Sequence, residues 1–322
     1  MNQYFEELVL KATGADAITA QEVIQTLWSG YGEIVKLSLA GTAVESVVLK
    51  YIVLPDEISH PRGWNTNRSH ARKVNSYDVE MHWYRDWSER CDKDCRVAHC
   101  FAASSDEHEH VIVLEDLDAA GYPVRKTDIE LKEVKTCLTW LANFHARFLN
   151  QKPEGLWPIG SYWHLATRPD ELTAMADGPL KQAANLIDER LNQGKFQTIV
   201  HGDAKVANFC FSPDGSAVAA VDFQYVGGGC GMKDVAYFLG SCLNEAQCER
   251  WQTPLLDFYF TQLQRAINTK IDFDALEKEW RELFPYAWTD FYRFLLGWAP
   301  GHWKVNPYSQ RLAEQVLAEL RV

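Results

Sequence analysis

The sequence predicts an α+β chain with a small β-rich N-terminal lobe and a large helical C-terminal lobe. Three observations predict it. Short β-branched apolar runs separated by turn residues crowd the first 120 residues. From Thr127 onward the apolar residues recur at helical spacing. A short β-like island, 198–223, interrupts the helical half.

The elements follow in order. EIVKLSLA (33–40) and VVLKYIVL (47–54) read as a hairpin, with Ala40-Gly41-Thr42 as a tight turn. Residues 55–70 are rich in Pro, Gly, Asn and Ser and read as a long loop. SYDVEMHWYRDWSER (76–90) places Tyr77, Met81, Tyr84 and Trp87 on one helical face, with Ser76 as its cap. RVAHCFAA (96–103) and HVIVLEDL (110–117) read as two strands around the acidic turn SSDEHEH. A connector near 115–122 leads to a long amphipathic helix, 127–150, opening on a Thr/Asp cap. QKPEGLWPIG (151–160) breaks the chain, a helix follows over roughly 170–193, and from about 233 the pattern is helical and rich in tryptophan. The lobes are expected to divide as 1–117 and 118–322.

Composition excludes several classes of function. With 322 residues, 47% hydrophobic and 24% charged, the chain can bury a large core and is neither disordered nor a disulfide scaffold. The 32 Lys and Arg against 44 Asp and Glu leave a net charge of −12, which disfavours nucleic acid as a partner. No apolar run approaches the ~18 residues of a membrane span. The N-terminal residues lack a basic stretch followed by an apolar core, so the expected location is cytoplasmic. Eight cysteines suit a reducing compartment. Cys91, Cys95, His99 and Cys100, with His108 and His110 nearby, match no standard zinc spacing.

The chemistry is carried by His201-Gly202-Asp203-Ala204-Lys205-Val206-Ala207-Asn208, which follows the apolar run Thr198-Ile199-Val200. Fourteen residues after Asn208 comes Asp222, in Val221-Asp222-Phe223-Gln224. The order and the Asp-to-Asn offset of five match the template H-R-D-L-x-x-x-N followed by D-F-G, and the chemistry of phosphoryl transfer explains the residue types. Asp203 is the carboxylate that accepts the proton of an attacking hydroxyl. Asn208 and Asp222 are hard oxygen donors for Mg²⁺. Lys205 neutralises the transferring phosphoryl oxygens, and His201 braces the loop. The candidate catalytic set is Asp203, Lys205 and His201, and the candidate metal ligands are Asn208 and Asp222.

Upstream residues fit the same chemistry. Ser29-Gly30-Tyr31-Gly32-Glu33 joins two strands, where glycines let backbone N–H groups approach phosphate. Val35 stands where a full glycine-rich motif has its third glycine. Lys50 lies inside an apolar strand and needs a partner if buried. Glu80 is the preferred partner because it lies toward the helix centre, and Glu89 is the rival.

SGYGEIVKLSL, VVLK, VLEDL, LANFHARF, HGDAKVANF, AVDFQ and KDVAYFL occur in that order over residues 25–240. This stretch resembles the small-molecule kinases related to aminoglycoside phosphotransferases and choline kinases, and most of all their ecdysteroid-kinase-like branch. The resemblance implies a bilobal protein-kinase-like fold with ATP bound between the lobes and Mg²⁺ as its metal. It implies that 1–117 is the nucleotide-binding lobe and 118–322 the catalytic and substrate-binding lobe. It also implies an adenine-reading backbone at Val113–Leu117. The candidate nucleotide-binding residues are thus Gly30, Tyr31, Gly32, Lys50, Glu80, Glu115 and Leu117. Asp234 is implied to start the next helix and to steady the catalytic loop through its amides.

Departures from the protein kinases point to a small hydroxyl substrate instead. Gly202 replaces the usual arginine, Gln224 replaces glycine, and Gly227-Gly228-Gly229-Cys230-Gly231 stands where a long activation segment would be. An aromatic box would suit a choline-like acceptor, and a broader apolar pocket a steroid-like or other alcohol. Residues 290–308 are the candidate pocket wall. An aminoglycoside phosphotransferase and a catalytically silent nucleotide-binding module are the alternatives.

Overall fold

The structure is a computed structural model and describes residues 3–27, 30–53, 67–105 and 109–321. Ser29, most of the 55–70 loop and the acidic tip 106–108, with His108, lie outside the described residues. The first compact unit comprises residues 1–124 and 210–221. Its elements begin with α1 (Gln3–Thr13), β1 (Ala17–Thr26), β2 (Gly32–Ala40) and β3 (Ser46–Val53), then α2 (Asn67–His82), β4 (Cys100–Ser105) and β5 (Glu109–Glu115). The strands form one antiparallel sheet in the order β1-β2-β3-β5-β4.

Strand periodicity decides what each face does. Val47 and Leu49 of β3 join Val35, Leu37, Val111 and Val113 under Phe5 and Val9 of α1. Each such side chain contributes about 1.5–3 kcal/mol when fully buried. Side chains alternate along a strand, so Lys50 and Ile52 point to the opposite face. There Ile52 packs with Leu27, Tyr31 and Tyr77, the last from α2.

The structure changes several local expectations. The helix expected over 76–90 already begins at Asn67, so Ser76 is not its cap. Ser76 is buried mid-helix, and its hydroxyl donates to the Lys73 carbonyl at 2.7 Å. The helix passes into a π turn at Trp83–Trp87 and a 3₁₀ turn at Ser88–Arg90. The strand expected from Arg96 starts at Cys100, because Val97 bridges to Ala220 instead. Two elements lie outside the expected set: α1, an amphipathic helix that buries Phe5 and Val9, and β1, which is mostly exposed.

The second unit comprises residues 125–209 and 222–322. Its elements run α3 (Leu131–Arg147), α4 (Pro169–Ala174), α5 (Pro179–Gln182), α6 (Ala184–Asn192) and β6 (Thr198–Val200). The hairpin β7 (Phe209–Phe211) and β8 (Val218–Ala220) follows, and most of it groups with the first unit through Val124 and Val97. Then come β9 (Gly227–Gly229), α7 (Met232–Cys242), α8 (Glu245–Ala266), α9 (Phe273–Trp298) and α10 (Pro307–Leu320). Helix α3 starts four residues later than expected: Glu133 accepts from the Glu130 N–H at 2.9 Å, closing a capping interaction beyond Thr127 and Asp128. The helix expected over 170–193 is three short helices, because Gly178-Pro179 breaks it.

The glycine run has a packing reason. β9 pairs antiparallel with β6 on one side and exchanges backbone hydrogen bonds with Trp157 and Gly160 on the other. A Cβ on Gly227 would stand 2.2 Å from the Trp157 carbonyl oxygen. No helix among the described residues is long and apolar enough to cross a membrane.

Candidate active site

In the first unit, Lys50 and Glu80 meet. The Lys50 ammonium donates to Glu80 Oε2 at 2.6 Å, and both residues are buried. Glu80 shares its helix face with Tyr77, Met81 and Tyr84, at the i, i+3, i+4, i+7 spacing that turns one stripe inward. Glu89 is exposed in the 3₁₀ turn, so the choice between them falls to Glu80.

The loop expected to cover phosphate closes β1 onto β2. Leu27 N–H donates to the Gly32 carbonyl at 2.7 Å, and Gly32 adopts φ +135°. A Cβ on Gly32 would stand 2.0 Å from the Tyr51 carbonyl oxygen, so the turn admits only glycine. Gly30, at φ +76°, faces open space. Tyr31 is buried, and its hydroxyl hydrogen-bonds His70 at 2.7 Å. Its side chain therefore serves the core, leaving only its backbone for a ligand.

The segment after β5 is clamped at its side chains. Glu115 pairs with Arg96 at 2.6 Å and accepts from the His99 N–H. Buried Asp116 accepts from Lys36 at 2.7 Å and Ser46 at 2.6 Å. Burial works to raise the Asp116 carboxyl, but these hydrogen bonds and the Lys36 charge outweigh it and hold the group below the usual carboxylate range. The Leu117 carbonyl accepts from the Tyr122 N–H at 2.8 Å, while its own N–H bonds no group among the described residues.

In the second unit, β6 delivers His201–Asn208 as an ordered loop. Gly202, at φ +78°, lies so close to the chain that a Cβ would stand 2.0 Å from the Tyr225 carbonyl oxygen. That contact explains glycine in place of arginine. Asp234 binds the loop from α7: its carboxylate accepts the His201 N–H at 2.6 Å and the Gly202 N–H at 2.9 Å. Asp234 is the third residue of α7, beyond the cap position held by Gly231. His145, fully buried on α3, bonds Asp234 Oδ2 at 3.1 Å and the Tyr259 hydroxyl at 2.8 Å. The His201 ring is also fully buried; it accepts the Asp203 N–H at 3.2 Å and packs on Phe223.

Four side chains converge on Asp203. Lys205 donates to Oδ2 at 2.8 Å, Asn208 Nδ2 donates to Oδ2 at 3.0 Å, and the Tyr237 hydroxyl donates to Oδ1 at 3.0 Å. The fourth, His201, acts through the backbone. Burial is the main cause that raises the Asp203 carboxyl, and the neighbouring Asp222 charge adds to it against Lys205. Burial works to lower the Lys205 ammonium, but the Asp203 charge and hydrogen bond dominate and keep it raised, hence cationic. Burial pushes the Tyr237 phenol well up, with Asp203 second, so it stays a donor.

The donor set suits magnesium. Asn208 commits Nδ2 to both the Asp203 carbonyl, at 2.8 Å, and its carboxylate, which leaves the amide oxygen as the atom to offer a cation. Asp222, with a left-handed backbone at φ +67°, would offer the second hard donor. No group of three or more His, Cys, Asp or Glu gathers as a metal site among the described residues. Magnesium tolerates this, because it takes one or two carboxylates and completes its shell with phosphate and water.

A family model, the ecdysteroid kinase-like family, matches residues 60–154 and 161–270. The chain belongs to that family. Among curated proteins none matches its sequence. Among solved structures it is similar to the microcompartment-associated aminopropanol kinase, at 14% identity and a TM-score of 0.52, over 98% of this chain and 94% of that one. That likeness shows a kinase-like fold for this family member. It is also similar to an aminoglycoside phosphotransferase from Streptomyces rimosus in complex with ADP and streptomycin, at 15% identity and TM-score 0.48, over 89% and 100% of the chains. A choline kinase from Streptococcus pneumoniae follows at 14% and 0.45, over 98% and 100%.

One residue that contacts Asp203 escaped the sequence reading: Tyr237 lies in KDVAYFL, where nothing in the sequence sets it apart from the helix core. Among the tryptophans of the helical half, Trp163 and Trp280 are fully buried, whereas Trp298 and Trp303 are exposed.

Proposed function

We propose that the protein is an ATP- and Mg²⁺-dependent phosphotransferase that phosphorylates a hydroxyl group of a small organic molecule. The observation that carries this is Asp203: a buried carboxylate with raised proton affinity, held by Lys205, Asn208 and Tyr237. Asp203 orients the acceptor hydroxyl and takes its proton as the new O–P bond forms. Lys205 offsets charge on the transferring phosphoryl oxygens. Asn208 and Asp222 hold the metal, which when bound neutralises phosphate charge. Lys50, fixed by Glu80, grips the phosphates, and the backbone at Gly30, Tyr31 and Gly32 covers them. The backbone at Glu115 and Leu117 reads the adenine, with the uncommitted Leu117 N–H as donor. Residues 1–117 then make up most of the nucleotide-binding lobe and 118–322 most of the catalytic lobe, residues 118–124 and 210–221 grouping with the first unit. All eight cysteines are free thiols, which fits work in a reducing cytoplasm.

The test is Mg²⁺-dependent release of ADP from ATP against a pooled set of alcohols that includes choline-like, sterol-like, aminoglycoside and sugar compounds. Transfer to one pool is expected. ATP binding without transfer to any would favour a nucleotide-binding module, and absence of ATP binding would overturn the reading. Asp222→Ala is expected to weaken Mg·ATP binding by roughly ten- to a hundred-fold, the scale of losing one charged interaction of about 1.5–3 kcal/mol. Calorimetric titration with and without Mg²⁺ reads this directly: an unchanged Mg²⁺-dependent affinity removes Asp222 from the metal site.

A further inference from the structure

Lys304 follows α9 in the segment expected to wall the acceptor pocket. Its ammonium lies 5.2 Å from the Tyr237 ring centroid, 5.3 Å from Phe291 and 5.5 Å from Trp303. The same Tyr237 donates its hydroxyl to Asp203 Oδ1. One tyrosine therefore connects this ammonium to the proposed base. A crevice beside it is lined by Phe291, Trp303 and Lys304, with Leu243 and Trp288 as apolar wall.

Lys304 is half-buried, and an ammonium partly withdrawn from water ordinarily gains a carboxylate partner. Lys304 has none within ion-pairing distance among the described residues, and aromatic faces repay only part of the desolvation. The titratable groups around it are Asp203 and Lys205 of the loop, Cys242 and Tyr237 of α7, and His302. Burial is the largest cause that lowers the Lys304 ammonium to about 8, and Lys205 adds to it, while Cys242 and Asp203 act the other way. Two cations, Lys205 and Lys304, thus flank the site. Both repel a quaternary ammonium or polyamine acceptor, and Lys304 offers three donors to an anion.

We propose that Lys304 is a specificity-determining residue that binds an anionic group, carboxylate or phosphate, on an acceptor whose apolar body lies against Phe291 and Trp303. This rests on the kinase reading above, for it places the acceptor beside Asp203. It disfavours choline-like and aminoglycoside acceptors and favours a hydroxylated acid.

The experiment uses matched probes on one aromatic alcohol: para-(hydroxymethyl)benzoate, its amide, the para-(hydroxymethyl)phenyl phosphate monoester and the para-(hydroxymethyl)phenyl trimethylammonium salt. Phosphate transfer from ATP and calorimetric binding are both measured, on the wild-type chain, Lys304→Met and Lys304→Arg. The wild type is expected to bind an anionic probe at least ten-fold more tightly than the amide, and the cationic probe least. The benzoate and phosphate arms tell which anion is taken. Lys304→Met abolishes the preference, Lys304→Arg keeps it, and the ATP KM stays within two-fold in both. Anion binding by the wild type weakens as the pH rises past about 8, where the ammonium loses its proton, and this dependence disappears in Lys304→Met. Anionic probes that bind no better than the amide, a preference that survives Lys304→Met, or a change confined to the ATP KM would each overturn the assignment. Charge-selective binding with no transfer of phosphate would instead count against the kinase reading and leave Lys304 in place.

Discussion

Asp203→Asn is expected to lower turnover by roughly a hundred- to ten-thousand-fold, the range a positioned general base contributes, with Mg·ATP affinity held within a few-fold. Asparagine has nearly the same shape, so the contact with the Tyr237 hydroxyl at Oδ1 can persist. What disappears is the negative charge that pairs with Lys205 and the lone pair that accepts the hydroxyl proton. Burial raises the proton affinity of this carboxylate, which strengthens it as a base, and the Lys205 charge works against that rise. The measurement is steady-state turnover with the best acceptor, with calorimetric ATP binding as its control. Undiminished turnover would remove Asp203 from the proton-accepting role. Equal losses in ATP affinity would mean that it serves the nucleotide instead.

Asp234→Ala should destabilise the fold by about 3–5 kcal/mol and nearly abolish turnover. The substitution strips acceptors from the His201 and Gly202 amides and a partner from His145. An orphaned buried donor costs about 1–3 kcal/mol, and breaking a buried charged contact about 3–5. A carboxylate acting only through the first turn of α7 would be worth about 1 kcal/mol or less. Chemical denaturation therefore separates the two roles. Asp234→Asn, which keeps one oxygen acceptor, should restore part of the stability and part of the turnover. A loss near 1 kcal/mol with normal turnover would reduce Asp234 to a helix-end residue.

Much of this was legible before any coordinates. β2, β3 and β5 read correctly because each carries apolar residues, many of them β-branched, at most of the positions it buries, Val35 and Leu37 in β2 and most of β5. β1 escaped because it is mostly exposed and its residues carry no clear alternation, whereas the apolar stripe of α1, Phe5, Leu8 and Val9, spans too few residues to stand out. Gly178-Pro179 interrupts an otherwise helical pattern. The loop residues Asp203, Lys205 and Asn208 were legible as a spaced set, and the folded loop brings all three together.

The sequence by itself determined the kinase-like class and marked out the 201–208 loop and Lys50 as candidates, because these depend on residue types at short, ordered spacings along the chain. Only the tertiary structure decided that Glu80 rather than Glu89 meets Lys50, since that turns on which helix face the sheet buries. It alone brought His145, Asp234 and Tyr237 to the loop from helices tens of residues away. It alone set Lys304 over Tyr237. Contacts between distant segments arise from packing, and no local spacing encodes them.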